Sequence, residues 1–398
     1  MKEWAGLSTS VIVAGARTPI GKLSGAFASL TAVDLGAHAI AAAVERAGVG
    51  TDGVDAVVMG TVVQAGVGPN PARQAAVGAG LPMTVPATTV NNLCLSGLEA
   101  IMQADRLIAT GAADVVVAGG MESMTAAPYV VRGARQGLKY GSTGFEDALD
   151  RDALTCAFDG ISMGASTERY QAGENITRAE QDEFAARSHR LAAAATESGA
   201  FAAEIAPVEI SSRKGTVTVS EDEGIRAQTT VESLGKLRPA FAKDGTITAG
   251  ASSQLSDGAA AVVVMRKELA IERGIEWLAE IRSHALVAGP DTSLLHQPAN
   301  AIEAALKRDD DTTVADLDLL EINEAFAGVA IASVRQLGVD AEKVNINGGA
   351  IAVGHPVGMS GARIALSLAH SLKARGGGKG AAALCGGGGQ GIAMILEV

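Results

Sequence analysis

Three side chains in this sequence could do covalent chemistry. They are Cys94 in VNNLCLSGLEAI, His355 in NINGGAIAVGHPVGMSGAR and Cys385 in AAALCGGGGQG. Cys94 falls between an apolar strand and a helical stretch, so its sulfur is expected near a helix N-terminus. An ordinary thiol has a pKa of about 8.5, and a histidine plus the helix dipole can lower it by about one to several units. His355 stands between Gly354, which permits close backbone approach, and Pro356, which biases the histidine away from helical geometry. A lone cysteine is more often a small buried residue and a lone histidine a satisfied core group. Together they make a nucleophile and a base. Cys385 ends an apolar strand directly before a glycine run, and such a run presents backbone N–H groups to a developing oxyanion. The same run matches G-x-G-x-x-G, but no helix and acidic residue follow it, so a dinucleotide site is not expected. In EINEAF, Asn323 could hold a water or a carbonyl, or with Glu324 it could cap the following helix; spacing leaves both open. Cys156, in ALTCAFDG, reads as a core residue.

These residues need elements that bring them together. Val11–Ala14, the stretch from Asp55, TTVNN and the stretch from Asp114 are apolar strands. They alternate with helical spacing over Leu30–Ala47 and from Leu95 to Thr110. The alternation predicts an α/β fold with a mostly parallel sheet covered on both faces. Residues 123–255 break the pattern with charged, irregular segments around the helical EQDEFAARSHRLAAAATESG, and the βα pattern resumes at Ser256. From Asp318 the outline repeats: DLLEINEAF, then VNINGGAIAVGHPVG, then AAALCGGGG, in the order of DAVVMG, VNNLCLSG and DVVVAGG. His355 is expected on a turn after an apolar strand, as Cys94 is. Duplicated halves would bring Cys94, His355 and Cys385 to the carboxyl ends of their strands, on one side of the molecule.

Composition narrows the partners. At 398 residues and 47% hydrophobic content the chain can bury a large core, in two or three domains or one composite unit. A net charge of −12 with 3% aromatic residues argues against nucleic acid, and a polyanionic ligand would need local basic groups. The 3 cysteines form no C-x-x-C pair, so neither a metal site nor a disulfide framework is expected. Apolar runs are too short for a membrane span, and MKEWAGLSTS does not read as a secretion signal, which makes the cytoplasm the expected location.

With VNNLCLSG, EINEAF, GGAIAVGHPVG and CGGGGQG in that order, the chain resembles the thiolases, and the acetyl-CoA-condensing biosynthetic kind above all. VIVAGARTPIG, NPARQAA, GGMESMT, KLRPAF and TITAG extend the resemblance over essentially the whole length. It implies a thiolase fold: five αβαβα layers from two similar halves plus an inserted loop domain. The halves would be residues 1–122, completed by 256–276, and 277–398, with 123–255 as the loop domain. It implies ping-pong acyl transfer without a cofactor, on acetyl-CoA, acetoacetyl-CoA and CoA. Cys94 would carry the acetyl group, His355 deprotonate it, and Cys385 take a proton from the α-carbon of the second acetyl-CoA. Asn323 would hold a water in one anion hole; the Cys94 and Gly387 N–H groups would form the other. Arg226, Ser233 and Ser253 match CoA contacts, with Met163 and Phe326 at the acyl end. Leu95 and Ser162 depart from the family pattern, Ser162 standing where a histidine is frequent. A degradative 3-ketoacyl-CoA thiolase is the alternative, followed by a decarboxylating ketoacyl synthase and a non-catalytic CoA or lipid binder. Residues 126–139 resemble the loop that pairs dimers in tetrameric thiolases, implying a homotetramer.

Overall fold

The computed structural model describes residues 9–213, 215–309 and 312–398. Residues 1–8, most of the stretch read for a leader, lie outside it. The first half contains strands β1 (Ser10–Arg17), β2 (Ala56–Gly60), β3 (Ala87–Val90), β4 (Val115–Ser123) and β5 (Ser256–Arg266). The second contains β6 (Ala279–Ala288), β7 (Leu319–Ile322), β8 (Lys379–Gly386) and β9 (Gln390–Glu397). They form a nine-strand path in the order β7-β8-β9-β6-β1-β5-β4-β2-β3, which the two-residue strand Gly21–Lys22 beside β5 makes a ten-stranded sheet. The joint between the halves is slight: β1 meets β6 only at Val11 with Glu280 and Ile12 with Ala279.

The sheet is mixed, which corrects the mostly parallel expectation. Parallel pairing holds at β2 with β3 and β4, and at β7 with β8; β5 runs antiparallel to β1 and β4, and β9 antiparallel to β6 and β8. Each parallel pair is joined through a helix, as a parallel crossover requires, and the β8–β9 pair is a hairpin whose short glycine turn can only return antiparallel.

Period-2 alternation divides each sheet's faces. Val115, Val117, Ala259, Ala261 and Val263 join one core with helices α1 (Ala32–Ala47) and α2 (Pro71–Gly78). Their neighbours Val116, Ala118, Ala260, Val262 and Val264 join another with α3 (Ser96–Ala109) and α8 (Ser360–Ala374). In the second half Ala381, Ala383, Ala393 and Ile395 face α6 (Gln297–Leu306) and α7 (Ala327–Leu337), while Ala382, Leu384, Ile392 and Met394 face the α3/α8 core. The layers are therefore α1/α2, first sheet, α3/α8, second sheet, α6/α7: the expected αβαβα arrangement. Strands this buried on both faces need near-continuous apolar sequence, which AAAVVVM and AAAL supply.

The repeat is visible in the backbone. Val344 makes a parallel bridge to Leu320 of β7, in the place that β3 takes beside β2. The copies then diverge. Only residues 91–95 lie between Val90 and Ser96, but the second copy needs the whole stretch from Val344 to Ser360. The apolar AIAV before His355 is a helical turn, Ala350–Val353, rather than the expected strand. It is fixed from outside: the buried Glu324 carboxylate accepts from Ile351 N, Ser188 Oγ and Asn345 Nδ2. Ser188 belongs to α5 (Arg178–Glu197), within residues 123–255.

Candidate active site

The two central helices begin against each other, and that crossing places the chemistry. A Cβ on Gly97, in the first turn of α3, would lie 2.7 Å from Ala362 N and 2.9 Å from Gly358 O; one on Gly361, in the first turn of α8, would lie 2.3 Å from Leu98 N. Only glycine allows this approach. The segments leading into the helices therefore meet, and these carry Cys94 and His355.

The Cys94 turn is wound tightly. Leu93 has φ 51°, a left-handed conformation rarely tolerated by leucine and characteristic of strained functional turns. Ser96 Oγ holds it, accepting from Asn92 N at 2.8 Å and donating to Leu93 O at 2.6 Å. The sulfur faces the backbone N–H groups of Cys94 itself and of Gly387, both of which favour its anion. Burial outweighs them and, with a smaller contribution from Glu122, pushes the thiol up to about 12. The sequence expectation of a lowered pKa is thus corrected for the resting protein, because desolvating the anion costs more than two N–H groups return.

His355 is buried and neutral. Burial, then the positive charge of Arg363, lowers its pKa to about 3. Its tautomer follows from the Ser360 hydroxyl, which lies 2.6 Å from Nδ1 and donates to Pro356 O at 3.0 Å. A hydroxyl whose proton is committed must accept, so Nδ1 carries the hydrogen and Nε2 keeps its lone pair. The Asn323 amide nitrogen is 3.4 Å from Nε2, at the long end of hydrogen bonding. Asn323 Oδ1 is buried with no partner among the described residues. Neither Asn323 nor Glu324 caps α7, whose N-cap is Phe326 without a side-chain bond. The capping alternative is thereby excluded.

Glu122, at the end of β4, clamps the turn after His355. Its buried carboxylate accepts from Gly358 N at 3.0 Å, Val62 N at 2.9 Å, Val63 N at 3.2 Å and Thr61 Oγ1 at 3.2 Å. Burial raises its pKa to about 7. Cys385 closes β8 and is buried; burial and then Cys94 push its thiol above the ordinary range. The glycines after it form the hairpin turn to β9, with Gly388 and Gly389 at φ 77° and 73°. Gln390 Nε2 donates to Asn92 Oδ1 at 3.2 Å and so ties this turn to the Cys94 turn. Leu95, one of the departures, is fully buried against Gly386: a Cβ there would lie 2.7 Å from its Cγ.

A cavity of about 690 Å³ leads to His355. Arg226, Ser253, Met163 and Phe326 line it, together with Ser162, Leu154, Phe241 and Lys22. Phe241 and Phe326 meet edge to face at 5.7 Å. Met163 begins α4 (Met163–Gln171) and packs on Gly387, where a Cβ would lie 2.4 Å from its methyl carbon. Ser162 serves as the N-cap of α4, accepting from Ala165 N. Ser233 is not among the lining residues; its hydroxyl is engaged in the capping box of the turn at Thr230. Cys94, Cys385, Asn323 and Gly387 are not part of the lining either.

Sequence reasoning did not single out Ser360, Glu122 or Lys22, and it offered Glu324 only as a helix cap. Ser360 stood five residues past His355 in the same motif, and Glu122 closed GGME. The partners of Glu122 and Glu324 are distant in sequence, and nothing local marks such contacts; those of Ser360, His355 and Pro356, lie within its own motif.

The chain matches the model described as thiolase, N-terminal domain, over residues 10–268 and that for the thiolase C-terminal domain over residues 275–398. A probable acetyl-CoA acetyltransferase of Mycolicibacterium smegmatis is 57% identical over 97% of this chain and 100% of that protein. The acetyl-CoA acetyltransferase of Escherichia coli is 49% identical over 98% of this chain and 99% of its own. The crystal structure of the Bacillus anthracis acetyl-CoA acetyltransferase superposes with a TM-score of 0.96 at 43% identity, covering 98% of this chain and 99% of that one. With the layered fold and this ordered set of motifs on both sides of the α3/α8 crossing, the chain belongs to the thiolase family.

Proposed function

We propose that this protein is an acetyl-CoA C-acetyltransferase, joining two acetyl-CoA to acetoacetyl-CoA and CoA and running the reverse thiolysis, with Cys94, His355 and Cys385 as its catalytic residues. The observation that carries the assignment of residues is a thiol facing two backbone N–H groups, on a segment that meets the one bearing a neutral imidazole whose Nε2 carries no hydrogen and only a long contact to Asn323 Nδ2.

In the first half-reaction the proton of Cys94 passes to His355 Nε2 as the sulfur attacks the thioester carbonyl. The oxyanion is met by hydrogen bonds, and the carbon–sulfur bond to CoA breaks. The departing CoA sulfur takes the proton of Cys385. The enzyme is left with acetylated Cys94, an imidazolium and a Cys385 thiolate. In the second half-reaction that thiolate removes an α-proton from another acetyl-CoA. The resulting carbanion attacks the acetyl carbonyl, and the Cys94 sulfur leaves and recovers its proton from His355. Every proton is returned. Burial keeps all three groups neutral at rest, so charge develops only when coupled to bond making. The N–H groups of Cys94 and Gly387 suit one oxyanion; His355 with a water on the unpartnered Asn323 Oδ1 suits the other. The cavity residues Arg226, Ser253, Met163 and Phe326 suit the CoA thioester, and residues 123–255 supply much of its wall.

The test separates the cysteines. Cys385→Ala should leave Cys94 acetylated by acetyl-CoA, seen as a mass increase on its peptide, while condensation is lost. Loss of acetylation in the folded variant would refute this division, as would label on Cys385 in Cys94→Ala. Faster thiolysis of long 3-ketoacyl-CoA than of acetoacetyl-CoA would favour the degradative alternative.

The assembly proposed is a homotetramer in the cytoplasm. Tyr129, Leu138, Tyr140 and Phe145 are exposed apolar side chains in and just after residues 126–139, a surface suited to burial between subunits. Light scattering that gives a stable dimer at micromolar concentration would refute it.

A further inference from the structure

The cavity bears two cations whose charged ends have no ion pair or hydrogen bond among the described residues. Arg226 lines it, and among the described residues only its backbone is hydrogen-bonded: its nitrogen donates to His189 Nδ1 at 3.2 Å and its carbonyl accepts from Thr229 N at 3.0 Å. Lys22 lines it too, and its ammonium has no ion pair or hydrogen bond among the described residues. The rest of Lys22 is held firmly. Its residue pairs with Ser256 beside β5, its backbone nitrogen donates to Glu223 Oε2 at 2.9 Å, and Leu23 N donates to Leu255 O at 3.1 Å. The other titratable lining groups are Asp150, whose carboxylate accepts from Thr155 Oγ1 at 3.3 Å, and the histidines His189 and His355. Burial keeps both imidazoles neutral at pH 7, so Lys22 and Arg226 supply the positive charge of the lining.

A chain with net charge −12 repels a polyanion at long range. An ammonium anchored at its backbone, half-buried at a cavity wall and unpaired, is therefore placed to meet a ligand's anionic group. We propose that Lys22 binds a phosphate of the CoA thioester, opposite or beside Arg226, and sets much of the affinity for the nucleotide end of the substrate. The proposal rests on the reading that this cavity takes CoA thioesters.

Lys22→Met keeps the aliphatic stem and removes the charge; Lys22→Arg restores it. Isothermal titration with CoA and initial rates with acetyl-CoA should both show about five- to twentyfold weakening in Lys22→Met, as Kd and KM, with kcat unchanged and recovery in Lys22→Arg. Acetyl-pantetheine, which lacks the phosphates, should be used equally by wild type and Lys22→Met. Acetyl-dephospho-CoA identifies the group: a retained effect assigns the diphosphate and a lost effect the 3′-phosphate. Equal weakening toward acetyl-pantetheine, or an unchanged Kd for CoA, overturns the proposal. If condensation is absent while wild type still binds CoA more tightly than Lys22→Met, the proposed activity fails and Lys22 keeps its assignment. If wild type binds no CoA, both fail.

Discussion

Removing the hydroxyl of Ser360 tests the catalytic geometry at its least replaceable contact. In Ser360→Ala the buried Nδ1–H of His355 loses its acceptor, and no other described residue bonds that nitrogen. An orphaned buried donor costs about 1–3 kcal/mol. The ring can relieve that cost by moving its hydrogen to Nε2, with the Asn323 amide turning so that its unpartnered Oδ1 replaces Nδ2 beside that nitrogen. The move blocks the lone pair that must take the Cys94 proton. Since about 1.4 kcal/mol is tenfold in rate, acetylation of Cys94 should slow about ten- to hundredfold, with KM for acetyl-CoA little changed. Rapid-quench mass spectrometry gives the rate. Nitrogen NMR of labelled histidine reports the tautomer directly, so a merely structural role would be recognised by an unaltered tautomer. Acetylation at the wild-type rate in a folded Ser360→Ala protein would refute the reasoning, as would a slowed rate with the hydrogen still on Nδ1.

Other outcomes follow from the same contacts. His355 is protonated below about 3 in the folded protein and near the usual 6.5 when unfolded, so between those values the unfolded chain holds the extra proton and stability falls as pH falls. Between pH 7 and pH 5 this should cost wild type about 2 kcal/mol more than His355→Asn, read from urea midpoints; equal losses in the two proteins would refute a neutral buried imidazole. The Cβ of Gly361→Ala would lie 2.3 Å from a backbone nitrogen of α3, so the crossing must open, costing about 1–3 kcal/mol of stability and much of the activity. Gly53→Ala, whose nearest new contact is 3.7 Å, should change neither, and similar melting temperatures for the two variants would argue against the close crossing.

The layered fold was readable because its strands are buried on both faces and so carry long apolar runs, and because the chain says the same thing twice. Strand direction was less readable. AAAVVVM of β5 looks like the parallel strands around it, and only its place between β1 and β4 makes it antiparallel. Local apolarity likewise suggested a strand in AIAV, where Glu324 and Ser188 hold a helical turn. The sequence by itself determined which atoms can react, since sulfur and imidazole chemistry belongs to the residue, and it ordered Cys94, Asn323, His355 and Cys385 within recognisable segments. Tertiary structure decided their state. Whether Cys94 rests as thiol or thiolate depends on how much water burial removes and on which N–H groups face the sulfur. Which nitrogen of His355 is free depends on a serine hydroxyl and a proline carbonyl held in place by the fold. Those are balances of desolvation and hydrogen bonding over a few ångströms, and the burial that sets them exists only once segments hundreds of residues apart have packed together.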